Sequence, residues 1–252
     1  MSLNNVRVVL HRPRGAMNVG AAARAIANMG LGGLVVVRPQ PLRQAWIRAM
    51  AVHAGSVIDQ MRHCRTLGEA VADCALVVGT TCRGGLYRQG TRTPRQAAPD
   101  IVGRALRQPV ALVFGPEDHG LSNVDLQLCH QLITIPTAPE YPSLNLAQAV
   151  VICAYELQLA ASADVAVPNP PVLAPAGLVE QTYERLQAAL LSIGFLHPDN
   201  PNHIMLALRQ LLGRTGLDER EVRILLGLAR QLEWFGQGGW QTLANKARAR
   251  DL

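Results

Sequence analysis

The sequence is poor in lysine, in paired cysteines and in long apolar runs. Of its 24 basic residues only Lys246 is a lysine. The five cysteines form no CxxC pair, so neither a disulfide framework nor a metal site is predicted. No apolar run reaches the roughly 20 residues of a membrane span, and the first 15 residues hold no apolar stretch typical of a signal peptide. We therefore expect a cytoplasmic protein with no membrane partner.

The charge that is present is concentrated in one part of the chain. Residues 1–160 carry 15 arginines against 9 acidic residues, whereas residues 177–252 carry 9 basic against 8 acidic residues. Apolar residues make up 49% of the chain, which predicts a globular protein. The planar guanidinium of arginine can bind a phosphate through two parallel hydrogen bonds, which lysine cannot do. The excess in the first part of the chain favours a polyanionic partner.

Short apolar runs alternate with helical patterns through the first 160 residues. The predicted strands are 6–10, 34–37, 75–79, 110–114 and 132–135, and the predicted helices are 18–29, 43–54, 66–72 and 122–130. Strands that are apolar on both faces and separated by helices predict a parallel sheet covered on both sides. The fold class is therefore α/β, with ligands expected beyond the carboxyl ends of the strands.

The rest of the chain predicts a second, smaller domain. Residues 162–176 contain four prolines and one charge, which favours an extended linker. Residues 177–252 contain three segments with helical apolar spacing, and the last opens on acidic residues, as a helix N-terminus prefers. We expect a domain at 1–161, a linker at 162–176 and an all-α C-terminal domain at 177–252.

A first candidate segment, residues 11–30, follows the first predicted strand. Its glycines suggest phosphate binding at a helix N-terminus, but they form neither a GxGxxG nor a Walker pattern. Asn18 is expected to cap the helix. Arg24 lies one turn further on and is either a surface arginine or a functional one.

A second candidate segment, residues 110–126, joins a buried strand to a short helix. Gly115 ends the strand, where a glycine allows a ligand to approach the backbone. A turn with Glu117 follows, and Ser122 or Asn123 can cap the next helix. A tight loop with solvated charges would have the same pattern.

A third candidate segment, residues 132–156, places polar residues before an apolar helix. Pro139 and Pro142 stiffen the loop, and Ser143 and Asn145 stand at the first turn. Free N–H groups at that turn could hold a ligand. No GxSxG pattern is present, so a hydrolase nucleophile is not predicted.

These three segments together resemble the SpoU/TrmH family of RNA ribose 2′-O-methyltransferases, a branch of the SPOUT class. The matching stretches are, in order, NVGAAARAIANMG, ALVFGPEDHGLSNVDL and IPTAPEYPSLNLAQAVVICAYE. The resemblance implies S-adenosylmethionine as cofactor, bound in a deep C-terminal trefoil knot whose buried helix would start at Leu144. It also implies a homodimer in which Arg24 of one subunit meets the methyl donor held by the other.

The resemblance also assigns residues by their position in the motifs. The implied cofactor pocket consists of Thr80, Thr81, Cys82, Gly115, Ile135, Pro142, Ser143 and Leu144. The implied catalytic residues are Asn18, Arg24, Glu117, Ser143 and Asn145. The chain departs from the family at Pro116, where an arginine is common, which leaves Glu117 without a cation next to it in the sequence.

Several alternatives remain within and beyond this family. The motif spacing and the helical C-terminal part are most similar to the tRNA methyltransferases that act on nucleotide 32 of the anticodon loop. A ribosomal RNA methyltransferase of the same family and a non-catalytic RNA-binding homologue are the alternatives. A nucleotide-dependent oxidoreductase is disfavoured because the glycine fingerprint is broken and Arg38 stands where an acidic residue is needed.

A basic stretch at residues 83–95 is the predicted RNA contact. It contains four arginines and no acidic residue. Together with Arg24, the residues Arg83, Arg88 and Arg92 would bind phosphates, and Tyr87 would stack on a base. The alternative is a solvated surface loop.

Overall fold

The computed structural model describes residues 2–82, 90–163, 172–213, 216–239 and 241. The chain forms two compact units, residues 1–177 and residues 178–252. None of the helices in these described ranges is long and apolar enough to cross a membrane.

The first unit is built on a six-stranded sheet in which every pairing is parallel. The strands are β1 (Leu3–His11), β2 (Leu31–Val37), β3 (Arg62–Cys64), β4 (Leu76–Thr80), β5 (Val110–Phe114) and β6 (Gln131–Ile133). Their order is β3-β2-β1-β5-β4-β6. The predicted α/β class and parallel sheet are confirmed.

Among the described residues of the first unit, seven helices surround this sheet. They are α1 (Ala16–Asn28), α2 (Gln44–Ala51), α3 (Gly55–Asp59), α4 (Leu67–Val71), α5 (Pro94–Ala105), α6 (Asn123–Leu126) and α7 (Leu146–Ser162). Alternate residues of β1 point into two separate cores: Val8 and Leu10 into one, Val9 into the other. Both faces of the sheet are therefore covered, as continuous apolar strands require.

Helix α7 begins two residues later than predicted and is not wholly buried. It starts at Leu146 instead of Leu144, because the side chain of Asn145 accepts hydrogen bonds from the amides of Ala147 and Gln148 and caps the helix. One of its faces is exposed, with Val151, Tyr155 and Leu159 each 40–48% accessible. The trefoil knot stays a prediction.

Other boundaries also differ from those predicted. The helix expected over residues 122–130 spans only α6, and β6 ends at Ile133 instead of residue 135. Strand β3 and helices α3 and α5 were not predicted. Helix α5 starts at Pro94 because Thr93 and Gln96 form a capping box, although Pro99 interrupts its sequence.

The end of the proline-rich segment packs on the first unit. Leu173 and Ala174 are buried, and the backbone of Leu173 makes two hydrogen bonds with the side chain of Gln108. Residues 164–171 lie outside the described ranges. The described end of this segment is therefore packed, and the linker stays a prediction for the rest of it.

Three helices lie in the described part of the second unit, as predicted. They are α8, which spans Ala176–Ser192 and starts at the end of the first unit, α9 (Pro201–Gly213) and α10 (Glu219–Gly236). Asp218 and Glu221 form the capping box of α10. Arg209 of α9 joins α8 through two 2.6 Å hydrogen bonds to Glu180 and lies 4.5 Å from the ring centroid of Tyr183.

Candidate functional site

A cavity of about 290 Å³ lies at the carboxyl end of the sheet. Three segments form its wall: the end of β4, the loop from β5 to α6, and the loop from β6 to α7. Parallel strands carry their loops at the same edge, which is why segments distant in the sequence meet there. The volume is near the lower end of the range for small-molecule sites.

All eight residues that the family resemblance assigns to the cofactor line this cavity. They are Thr80, Thr81, Cys82, Gly115, Ile135, Pro142, Ser143 and Leu144. The wall also contains apolar side chains from the sheet and α7, among them Phe114, Ile133 and Leu146. The cavity thus combines apolar walls with loop backbone and a few hydroxyl groups, an arrangement suited to an adenine ring with polar edges.

Gly115 is required by the loop itself. A Cβ atom at this position would overlap the backbone of Gly120 and Leu121. The loop is closed tightly by a 2.8 Å hydrogen bond from the amide of Gly120 to the carbonyl of Pro116, and Gly120 has a φ of +66°. The close approach predicted at Gly115 is therefore made by the chain's own backbone.

A chain of hydrogen bonds links all three candidate segments. The side-chain amide of Asn145 donates to Asn18 Oδ1 at 2.9 Å, and Asn18 Nδ2 donates to Glu117 Oε1 at 2.9 Å. Asn145 Oδ1 accepts from the amide of Ala147 at 2.9 Å. We call Asn145, Asn18 and Glu117 the polar chain. It brings together three of the five residues expected to be catalytic.

Glu117 also completes the N-terminus of α1. Its carboxylate accepts from the backbone amides of Arg14 at 2.9 Å and Gly15 at 3.0 Å. The prediction that Asn18 caps α1 is wrong: the N-cap position is Gly15, which has no side chain to cap with, and Asn18 lies inside the helix. The carboxylate of Glu117 fills the role from another loop.

The surroundings of Glu117 favour its ionised form. Burial raises the pKa of this carboxyl, but the hydrogen bonds from Asn18 and from the amides of Arg14 and Gly15 outweigh it and hold the pKa below its usual value. With Pro116 in place of the family arginine, amide groups and not a neighbouring guanidinium stabilise the charge.

The remaining predicted residues are placed differently. Ser143 is exposed and lines the cavity. Arg24 is exposed on α1, does not line the cavity of its own chain, and has no carboxylate partner among the residues described. The structure therefore places Ser143 in the wall of the cavity, which Glu117 also lines, but does not place Arg24 there.

The predicted RNA-contact stretch at residues 83–95 is described only from residue 90 onward. Arg83, Tyr87 and Arg88 lie outside the described ranges. The backbone of Arg92 pairs with β6, and its side chain reaches the carbonyl of Gln96 and lies 3.7 Å from Asp100. The backbone of Arg92 thus extends the edge of the sheet before α5 begins, and its role in binding RNA stays a prediction.

Two residues at the cavity wall were not assigned in advance. Asp118 and His119 both line the cavity, and Asp118 Oδ1 lies 2.6 Å from His119 Nδ1. The other carboxylate oxygen of Asp118 lies 2.6 Å from the guanidinium of Arg14. Their position directly after Glu117 in the sequence was the signal that could have identified them. No group of three or more His, Cys, Asp or Glu residues within the described ranges could hold a metal ion.

Comparison with known proteins identifies the class to which this fold and cavity belong. The model of the SpoU rRNA Methylase family matches residues 5–155, and the chain therefore belongs to this methyltransferase family. The model of the C-terminal domain of the tRNA methyltransferase TrmJ matches residues 178–248. Each of the two units of the chain is thus matched by a family model.

Individual relatives match over nearly their whole length. The tRNA (cytidine/uridine-2′-O-)-methyltransferase TrmJ of Cronobacter sakazakii is 40% identical over 237 residues, which cover 92% of this chain and 97% of that protein. The crystal structure of TrmJ from Z. mobilis ZM4 has a TM-score of 0.78 at 36% identity, covering 90% and 98%. A probable methylase family protein from Haemophilus influenzae has a TM-score of 0.61 at 32% identity, covering 92% and 97%.

Proposed function

We propose that this protein transfers a methyl group from S-adenosylmethionine to the 2′-hydroxyl of a ribose in tRNA, at cytidine or uridine 32 of the anticodon loop. The observation that carries the proposal is the match to TrmJ relatives across both units of the chain. The nucleotide position comes from the resemblance of the motif spacing and of the helical C-terminal part.

The cavity is the proposed binding site of the methyl donor. Its apolar wall, with Phe114, Ile133 and Leu144, offers a surface for adenine, and the loop backbone around Gly115 and Pro142 offers polar partners for the rest. The sulfonium of S-adenosylmethionine supplies an electrophilic methyl group. The residues of this chain then have to orient the ribose and take up charge.

Glu117 serves as a positioning residue and not as the proton acceptor. Three donors already occupy its carboxylate, and its pKa lies below the usual value, so its affinity for a proton is low. Its hydrogen bond to Asn18 instead fixes the side chain that holds Asn145. In this proposal the proton of the 2′-hydroxyl passes to water or to a phosphate oxygen.

Arg24 completes the reacting site of the partner subunit in a homodimer. Its exposure, its lack of a carboxylate partner within the described ranges, and its absence from the lining of its own chain's cavity support this arrangement. A guanidinium has no lone pair available to accept a proton and is a poor base, so Arg24 binds the adjacent phosphate in a bidentate manner and polarises the hydroxyl. Arg24→Lys is expected to lose both rate and tRNA affinity, and near-normal values would contradict the bidentate role.

The deciding experiment is methyl transfer from labelled S-adenosylmethionine to a bulk tRNA pool, followed by nuclease digestion and identification of the modified nucleotide. A 2′-O-methylated pyrimidine from position 32 supports the proposal. Transfer only to ribosomal RNA would keep the chemistry and overturn the tRNA assignment. Cofactor binding without transfer to either RNA would favour a non-catalytic RNA-binding protein.

A protein acting on tRNA in this way works in the cytoplasm, where fractionation should find it.

A further inference from the structure

A second groove lies directly beside the polar chain. Its volume is about 520 Å³, and it runs between the start of α1 and the residues leading into α2. Its lining includes Arg14, Met17, Asn18, Pro41, Arg43 and Trp46. Because Asn18 also donates to Glu117 of the cavity wall, the groove and the cavity meet at the polar chain.

Trp46 and Arg43 form an exposed pair within this groove. Trp46 is 52% exposed, and the guanidinium of Arg43 lies 5.4 Å from its ring centroid. Such a distance is in the range of a cation–π interaction, which limits the motion of both side chains. Arg43 has no carboxylate partner among the described residues. A large aromatic surface and an unpaired positive charge are thus held side by side in solvent.

The sequence around the groove is strongly basic. Residues 1–58 contain seven arginines and not one acidic residue. Two of these arginines, Arg7 and Arg48, are paired with Asp73 and Asp59. Arg14 pairs with Asp118, and its side chain remains 51% exposed. The described residues that line the groove include no carboxylate.

We propose that this Arg43–Trp46 groove binds an unpaired nucleobase of the RNA substrate and its adjoining phosphate. Trp46 stacks on the base, and Arg43, with Arg14, contacts the backbone. Aromatic stacking combined with nearby arginines is how proteins hold splayed bases of RNA loops. The proposal rests on the proposed function, and the position beside the polar chain makes the bound nucleotide a neighbour of the methylated one.

A second copy of this chain is a less suitable occupant. Two copies of a surface that carries Arg14 and the unpaired Arg43, with no carboxylate among its described lining residues, would bring like charges together, which opposes association. An RNA loop supplies both the π-face and the negative charge that the groove lacks.

The test compares matched variants for binding to a labelled anticodon stem-loop RNA, with S-adenosylhomocysteine present throughout. Trp46→Leu keeps an apolar side chain without a ring and should weaken binding about tenfold, whereas Trp46→Phe should stay close to the parent. Arg43→Gln should reduce the slope of log affinity against log salt by about 0.7. Arg48→Gln removes the same charge from the neighbouring turn, outside the groove, and should leave the slope unchanged.

A direct measurement leaves Trp46 and Arg43 themselves unchanged. In a protein with Trp234→Phe and Trp240→Phe, Trp46 is the remaining tryptophan, and stacking of a base should quench its fluorescence on addition of the RNA. Equal binding by the Leu and Phe variants, or fluorescence unchanged by bound RNA, would overturn the proposal.

Failure of the groove proposal can be distinguished from failure of the proposed function. If the parent protein methylates tRNA while the Trp46 and Arg43 variants bind and react as the parent does, only the groove proposal fails. If the parent transfers no methyl group to tRNA, the proposed function fails first. If Trp46→Leu lowers the mass in sedimentation while RNA affinity is unchanged, the groove is an interface between copies, and the RNA proposal is wrong.

Discussion

The polar chain has a direction, and Asn145→Asp tests it. The carboxylate of Glu117 can only accept, so Asn18 must present its Nδ2 to Glu117 and its Oδ1 to Asn145. At the other end, the free amides of α7 require an acceptor, so Asn145 presents Oδ1 to the helix and Nδ2 to Asn18. The two ends therefore fix both amide orientations.

Asn145→Asp separates the capping of α7 from the hydrogen bond that residue 145 donates to Asn18. Aspartate caps as well as asparagine, and its charge at the N-terminus of α7 contributes roughly 0.5 kcal/mol. It cannot donate to Asn18, and the lost hydrogen bond, together with two facing acceptors, costs about 2 kcal/mol. The expected net loss in the free energy of unfolding is about 1.5 kcal/mol. Methyl transfer should fall by tenfold or more, since misplaced reacting groups are costly.

A double mutant sharpens the test. In Asn145→Asp/Glu117→Gln the new amide of residue 117 can donate to Asn18, which can then turn its own amide toward Asp at 145. The two substitutions should therefore be less harmful together than their separate effects imply, by about 1 kcal/mol in urea denaturation. Asn145→Ser is the control, because it caps the helix without an amide of either orientation. Additive losses would refute the directional argument.

Three further expectations concern the cavity. Gly115→Ala should destabilise the protein by about 2 kcal/mol in thermal denaturation, since its Cβ would displace the backbone at Leu121; an unchanged melting temperature would show that the loop can shift freely. Because the pKa of Glu117 is lowered, its contribution to stability is present above the usual glutamate pKa and is lost as the pH falls through the lowered value, so Glu117→Gln should flatten the stability curve below about pH 4.3. Cys82 is exposed at the cavity whereas burial raises the pKa of the Cys153 thiol to about 12, so Cys82 should react first with a thiol reagent, and S-adenosylhomocysteine should slow that reaction.

The sheet was predictable because its strands carry a strong signal. The run at 110–114, for example, is apolar at every position. A strand needs such a run only when both of its faces are buried. Strand β3 was missed because Arg62 and His63 are exposed and only Cys64 is buried, as expected of a short edge strand. Helix α5 was missed because a basic, proline-containing stretch resembles a loop when its capping box is overlooked.

The cavity lining was predictable from the motifs, but the polar chain was not. Motif positions indicate which residues line the cavity without indicating which atoms meet. The contact between Glu117 and the start of α1 spans 102 residues of sequence, and no local pattern reports it. Asn18 was expected to cap because asparagine is a common cap, yet the acceptor at this helix comes from a different strand's loop.

The position of Glu117 makes a final prediction about the pH dependence of the reaction. A carboxylate that acts as the base would have to accept the proton of the 2′-hydroxyl while losing hydrogen bonds from Arg14, Gly15 and Asn18, all of which favour its ionised form. Glu117→Gln should therefore lower the rate of methyl transfer by the same factor at every pH from 6 to 9, because it disturbs Asn18 without removing a proton acceptor. Single-turnover rates across that range, with tRNA and cofactor saturating, make the comparison. A variant whose rate falls by several orders of magnitude and regains activity with added carboxylate such as formate would identify Glu117 as the base and contradict its role as a positioning residue.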